Sequence, residues 1–173
     1  MRKPKRFKGK ILDVSVKKVR LPNGYLANLE IVKHPGAVLI VPFLGKNKII
    51  MLRQFRPVIN TYIFELPAGT LEKGESPAVC ARREIIEETG FRSDKLVKLG
   101  LIFPVPGYST EKIFIYKAQN LIKTKQLHQK DEVIEIFVFT KRQIQKMLKE
   151  GKIIDAKTIC GFALCGWFKE ERK

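Results

Sequence analysis

The segment Gly69-Thr70-Leu71-Glu72-Lys73-Gly74-Glu75-Ser76-Pro77-Ala78-Val79-Cys80-Ala81-Arg82-Arg83-Glu84-Ile85-Ile86-Glu87-Glu88-Thr89-Gly90-Phe91 decides how the rest of this 173-residue chain is read. From Ser76 to Thr89 the pattern is helical. Ser76 is suited to the N-cap, Pro77 takes the first helical position where its missing N–H is no loss, and Gly90 stands just past the end. At 3.6 residues per turn Glu84 and Glu88 lie one turn apart and Glu87 lies three residues from Glu84, so three carboxylates share a face. Such like-charged neighbours oppose the helix by roughly 0.2–0.5 kcal/mol per pair unless a cation intervenes. Oxygen-only donors at this density suit a hard divalent ion, Mg²⁺ or Mn²⁺, and such ions commonly bridge to substrate phosphates. On the opposite face Ala78, Ala81, Ile85 and Val79 are small or apolar and predict packing on a sheet, while Arg83 is placed to fix one carboxylate through its fork of donors.

The flanks of this segment read mainly as β structure. Upstream, Ile11–Val19 and Tyr25–Val32 flank a Pro22-Asn23-Gly24 turn and predict a two-strand arm. The apolar run Ala37–Leu44, a Gly45-Lys46-Asn47 turn and Ile49–Leu52 predict central strands of one sheet. Tyr62–Leu66 predicts a short strand that ends at Pro67-Ala68-Gly69, where a loop begins. Downstream, strands are expected at Leu96–Phe103, Lys112–Ala118 and Val133–Phe139. Thr140 opens a helix that Gly151 closes, and Asp155 caps a last helix through Trp167. Strands interleaved with helices, without repeats or linkers, predict an α/β (α+β) domain with a mixed sheet between helices.

Composition narrows the function classes. With 45% hydrophobic residues the chain can bury a single core. The basic start MRKPKRFKGK is followed by no continuous apolar stretch, so neither a secretory signal nor a membrane span is read there. Three cysteines without a CxxC pair argue against a disulfide framework and a zinc site, and a cytoplasmic setting is expected. The formal charge of +17 raises attraction to nucleic acid. Yet the lysines are scattered and interleaved with glutamate, which reads as a solvated surface. His34 and His128 have no partner at ligand spacing and read as structural or exposed.

Taken alone, a Glu-rich helix is an ordinary surface element. The full spacing is not ordinary: G-x5-E-x7-R-E-U-x-E-E-x-G-U, with U a large apolar residue, runs without a gap from Gly69 to Phe91. At average residue usage its chance odds at a given start are on the order of one in 10⁹. This pattern resembles the Nudix box, at residues 69–91. The resemblance implies a loop-helix-loop on a Nudix-type α/β/α sandwich and hydrolysis of a nucleoside diphosphate linked to another group. It implies metal-binding carboxylates at Glu84 and Glu88, with Glu87 a further ligand or near-ligand. Ala68 is implied as a carbonyl donor, and Glu75 and Arg83 as orienting partners.

Four further stretches are similar to the ADP-ribose pyrophosphatase branch of that family. Arg53-Gln54-Phe55-Arg56-Pro57 with Glu65-Leu66-Pro67-Ala68-Gly69 implies that Arg56 contacts the diphosphate. Pro104-Val105-Pro106-Gly107-Tyr108-Ser109-Thr110-Glu111 resembles a substrate loop and places Pro106, Gly107 and Glu111 there. Asp131-Glu132-Val133-Ile134-Glu135-Ile136 implies Glu132 as a late metal ligand or general base. Gly151 to Thr158 resembles a C-terminal G-x-I-x-D-A-K-T, read as a structural helix start.

Lys130 stands where some relatives carry an additional acid, which leaves Glu132 alone or with Glu87 as base. Glu30 is implied at the adenine amino group. Leu29 precedes it where relatives often carry an aromatic ring, leaving Tyr25 or Phe7 as replacements. The expected reaction is Mg²⁺-dependent hydrolysis of ADP-ribose to AMP and ribose 5-phosphate, with Glu84, Glu87, Glu88 and Glu132 as catalytic carboxylates and Arg56 countering the developing charge. The alternatives are another nucleoside diphosphate derivative (a sugar nucleotide, a dinucleotide or an oxidised triphosphate) or a nucleotide-binding module without hydrolysis. Residues 1–36 are expected to form a dimerising, substrate-binding arm on a domain of residues 37–173. The arm has too little surface to stand alone, and relatives exchange such arms across a two-fold axis.

Overall fold

The computed structural model describes residues 6–9, 12–125 and 133–168. Strand β4 (Ala37–Pro42; β1 to β3 precede it in the arm) is buried at every position, as an apolar run covered on both faces requires. Leu39 and Val41 point into one core cluster, Val38 and Ile40 into another. The short β7 (Ala68–Thr70) pairs with it antiparallel, and β9 (Ile113–Lys123) pairs with it parallel. With β8 (Phe91–Ile102) outside β9, the order of this four-stranded sheet is β7-β4-β9-β8.

A second sheet holds β5 (Lys48–Arg56), β6 (Thr61–Glu65) and β10 (Ile134–Thr140), all antiparallel in the order β10-β5-β6. The expectation that Ala37–Leu44 and Ile49–Leu52 share one sheet is therefore corrected. Only the bridge Phe43↔Ile49 joins them. Both runs are apolar on two faces, and stacking them in separate sheets lets Leu39 and Val41 meet Ile49 and Met51 in one core.

Helix α1 (Pro77–Thr89) covers the other side of the four-stranded sheet through Cys80, Ala81 and Ile85, which meet Val38, Ile40 and Ala118. The caps are those expected: Ser76 accepts from the Val79 N–H, and Gly90 takes a left-handed φ of 70°. Helix α2 (Lys141–Lys149) starts with a reciprocal capping box between Thr140 and Gln143. Helix α3 (Ala156–Leu164) is capped by Asp155. It ends before Trp167, because Gly166 turns the chain at φ 72° and returns the indole onto Phe162 and Phe43, with ring centroids 5.9 and 5.4 Å apart. The fold is the expected mixed α+β arrangement of sheets and helices with an arm at the N-terminal end.

That arm has three strands, not two: β1 (Arg6–Lys8), β2 (Asp13–Arg20) and β3 (Leu26–Lys33). The third strand comes from the basic start, where Arg6 forks onto Asp13 with Nε–Oδ1 at 3.0 Å and Nη2–Oδ2 at 2.6 Å. Among the described residues, no helix is long and apolar enough to cross a membrane.

Candidate active site

The chain changes sheets at Leu66-Pro67. Glu65 ends β6 in one sheet, and Ala68 begins β7 in the other, so the Pro67-Ala68-Gly69 stretch is partly strand where a loop was expected. Helix α1 packs against this crossing. Glu88 accepts the Ala68 N–H at 2.9 Å, and the Glu84 carboxylate lies so close over Gly69 that a Cβ there would coincide with it. Only glycine leaves room for that side chain. The carboxylate-bearing residues Glu84 and Glu88 are 7% and 3% exposed, while Glu87 is half-buried.

The packing face of α1 differs from the expected one. Val79 is 56% exposed because at 100° per residue it lies opposite the face of Cys80, Ala81 and Ile85, which do the packing, and Ala78 is exposed at the edge of that face. Burial pushes the Cys80 thiol up to about 12, and the neighbouring Glu84 charge adds to the effect.

Arg83 serves three carboxylates where one was expected. Its Nε and Nη2 donate to the two oxygens of Glu75 at 3.0 Å each, and its Nη1 donates to Glu84 at 2.6 Å and Glu87 at 3.1 Å. The Glu75 carboxyl is held down to about 2 by this fork, against the opposing effect of burial, with help from the Glu72 N–H. One guanidinium thus pairs with three carboxylates, those of Glu75, Glu84 and Glu87, while Glu88, on the same helix as Glu84 and Glu87, is held by the Ala68 N–H. All-oxygen donors on one acid-rich helix and a glycine cradle beneath one carboxylate fit a hard divalent cation. Among the described residues no three carboxylates converge on a single point: Arg83 draws Glu84 and Glu87 together, whereas Glu88 is held by Ala68.

Arg56 faces a different environment. Its Nε and Nη2 donate to Glu65 at 2.7 and 2.5 Å. Glu65, 1% exposed, also accepts from Lys157 Nζ at 2.6 Å, and Lys157 reaches Asp155 Oδ1 at 2.8 Å. Burial works to raise the Glu65 carboxyl, but the Arg56 fork and the Lys157 charge hold it below its usual range. Arg56 itself is raised by its bonds to Glu65, against burial, and further by the charges of Glu88 and Asp155, which brings this cluster within electrostatic reach of the α1 acids.

Glu65, Asp155 and Lys157 were not singled out from the sequence as site residues. The available signal was a glutamate at the end of an apolar strand, which has to find a counter-charge once buried.

The expected substrate loop is tied to the arm. Val32 donates to Tyr108 O at 2.8 Å and accepts from the Thr110 N–H at 3.0 Å, and the His34 N–H donates to Thr110 Oγ1 at 3.0 Å. Pro106 and Gly107 are exposed on this loop, and Glu111 Oε1 lies 3.9 Å from His34 Nδ1. Glu30 is exposed on β3, opposite Val16, and lines a shallow depression with Arg6, Phe7, Val14 and Val16. Glu132, Asp131, Lys130 and His128 lie outside the described residues.

Comparison with known proteins bears on this geometry. The chain is 40% identical over 154 residues to the ADP-ribose pyrophosphatase of Bacillus subtilis (strain 168), covering 88% of this chain and 83% of that protein. It is 38% identical over 155 residues to the methanol dehydrogenase activator of Bacillus methanolicus, covering 88% and 84%. The crystal structure of an ADP compounds hydrolase superposes with a TM-score of 0.80 over 96% of this chain and 94% of that one, at 21% identity, and so shares the fold. The NUDIX domain model matches residues 33–162, which include the acid helix, Arg56 and the start of α3, and the chain belongs to the NUDIX family.

Proposed function

We propose that this protein hydrolyses ADP-ribose to AMP and ribose 5-phosphate in a Mg²⁺-dependent reaction. The observation that carries the reading is an acid-rich helix face set beside an arginine that a buried carboxylate holds in place. Phosphate chemistry needs both charges at close quarters, and the sequence likeness to an ADP-ribose pyrophosphatase supports the substrate.

In this reading Glu84, Glu88 and Glu87, with the Ala68 carbonyl and Glu132, hold Mg²⁺, or Mn²⁺ in its place. A bound divalent ion supplies Lewis acidity toward the diphosphate and makes water a better nucleophile at neutral pH. Arg83 and Glu75 keep the helix carboxylates in fixed rotamers. Arg56 offers its guanidinium to the diphosphate oxygens and counters charge as the P–O bond breaks. The carboxylate of Glu132, alone or with Glu87, accepts the proton of the attacking water. On the arm, Glu30 takes the adenine amino group. Phe7, on the same depression as Glu30, is better placed than Tyr25 at the hairpin end to stack on the base. Glu111, Pro106 and Gly107 border the distal ribose.

The arm, residues 1–36, serves dimerisation and substrate binding, and residues 37–173 carry the chemistry. Exposed Phe7, Leu12, Val16, Leu26 and Leu29 support a second copy covering the arm. A monomer by light scattering at micromolar concentration would overturn that assignment. Three free thiols support a cytoplasmic location.

The test is hydrolysis of ADP-ribose with Mg²⁺, run beside ADP-glucose, diadenosine polyphosphates, 8-oxo-dGTP and capped RNA, with products resolved by chromatography. AMP and ribose 5-phosphate forming fastest from ADP-ribose supports the proposal. Faster turnover of another compound moves the substrate, and no turnover by folded, metal-loaded protein removes the enzyme reading.

A further inference from the structure

The C-terminal D-A-K-T stretch, read from sequence as only a helix start, reaches the phosphate side of the site. Asp155 caps α3 by accepting the Thr158 N–H at 3.0 Å, and Thr158 Oγ1 accepts the buried N–H of Leu66 at 2.9 Å. These two bonds clamp the start of α3 to the end of β6. The close approach is built in at Gly161, where a Cβ would come within 2.9 Å of Leu66 and 3.0 Å of Leu39. Lys157, one residue from that clamp, is thereby delivered to the Oε2 of Glu65 that also receives Nη2 of Arg56.

We infer that Lys157 is a positioning residue for Arg56: by sharing the Glu65 carboxylate it lets Glu65 fix the direction of the guanidinium without cancelling its charge. The inference rests on the reading above that Arg56 meets the diphosphate. A buried glutamate paired with one arginine alone forms a closed, neutral ion pair that competes with a phosphate for the same donors. Here Arg56 and Lys157 together face Glu65 and Asp155, so the group of four is neutral as a whole. Glu65 engages Nε and Nη2 of Arg56 and leaves Nη1 for a ligand. Removing the lysine charge makes the group anionic, beside Glu88 and opposite an anionic substrate. The loss then falls on substrate binding more than on the chemical step.

The experiment compares wild type, Lys157→Met, Lys157→Arg, Arg56→Ala and the Arg56→Ala/Lys157→Met double variant, in ADP-ribose kinetics with Mg²⁺ and in calorimetric binding of inorganic pyrophosphate. Lys157→Met is expected to raise KM about tenfold, with kcat changed by less than about threefold, and to weaken pyrophosphate binding about tenfold. Lys157→Arg is expected to restore both to within about threefold of wild type. In the Arg56→Ala background the same Lys157→Met change adds less than about twofold, because the two residues act as one unit. Should Lys157→Met fail to fold, Lys157→Gln keeps a hydrogen-bond donor without the charge and is expected to show the same rise in KM. Wild-type binding in the neutral variants, no rescue by arginine, or a full effect of Lys157→Met without Arg56 overturns the inference. Pyrophosphate binding is read without turnover. A protein inactive on ADP-ribose whose pyrophosphate binding still depends on both side chains fails the proposed function and keeps this inference.

Discussion

Two arginine-centred clusters sit a short distance apart and are wired in opposite senses. Around Arg83, three carboxylates share one cation; around Glu65 and Asp155, two cations match two acids. Both are largely buried and both use a guanidinium fork, so hydrogen bonding alone does not separate them. Charge does. A cluster left strongly negative is completed by adding a cation, whereas a cluster already neutral can turn one arginine outward to an anion. On the proposed function, the contrast divides the site into a metal side and a phosphate side.

The largest test of that division is Glu84→Gln. It removes charge from the acidic side without changing shape, and hydrolysis of ADP-ribose is expected to fall about 10³-fold, about 4 kcal/mol, while thermal unfolding shifts little. An equal loss of activity from an uncharged change on α1, far from Arg83, would erase the contrast.

On the neutral side the scaffold matters more. Thr158→Val leaves the buried Leu66 N–H without its acceptor and is expected to cost about 1–3 kcal/mol in urea unfolding.

Acid provides a smaller discriminator. The ordinary value for a glutamate is 4.5, and Glu75 sits at about 2 when folded, so its contribution is fully present above pH 4.5 and is lost as pH falls toward 2. Across that window the unfolded chain binds a proton that the folded chain refuses. Glu75→Gln is therefore expected to flatten the acid limb of a stability-against-pH curve; an unchanged limb would show that Arg83 does not hold Glu75 in solution.

The smallest effect is expected at Val79→Ala, below about 0.5 kcal/mol, since this side chain of α1 touches little. A loss of several times that would show that the first turn of the helix is covered.

How much of this was legible in the sequence depends on the range over which each feature is determined. The caps of α1 were readable because Ser76, Pro77 and Gly90 act within a turn of where they stand. The three helix carboxylates followed from 3.6-residue geometry. Whether Ala37–Pro42 and Lys48–Arg56 share a sheet was not readable. Continuous apolar runs carry no alternation to tell one face from the other, so partners are chosen by stacking in three dimensions. The exposure of Val79 was readable, since at 100° per residue it lies opposite Cys80, Ala81 and Ile85; whether Ala78, at the edge of that face, is covered depends on the neighbouring sheet, which periodicity does not encode. Glu65 and Lys157 lie 92 residues apart, and nothing local connects them. Their roles emerged only once Gly161 had brought α3 against Leu66.

The clamp between Leu66 and Thr158 also sets an order of events. During synthesis the acid helix and Arg56 leave the ribosome well before Lys157 and Thr158, so the nascent chain presents Glu65 and the Leu66 N–H while their later partners do not yet exist. Closing that contact is a high-contact-order step, slow relative to forming α1. The Glu65 cluster is thus completed last, and a chain interrupted before residue 157 would hold Arg56 on Glu65 without the lysine that shares that carboxylate.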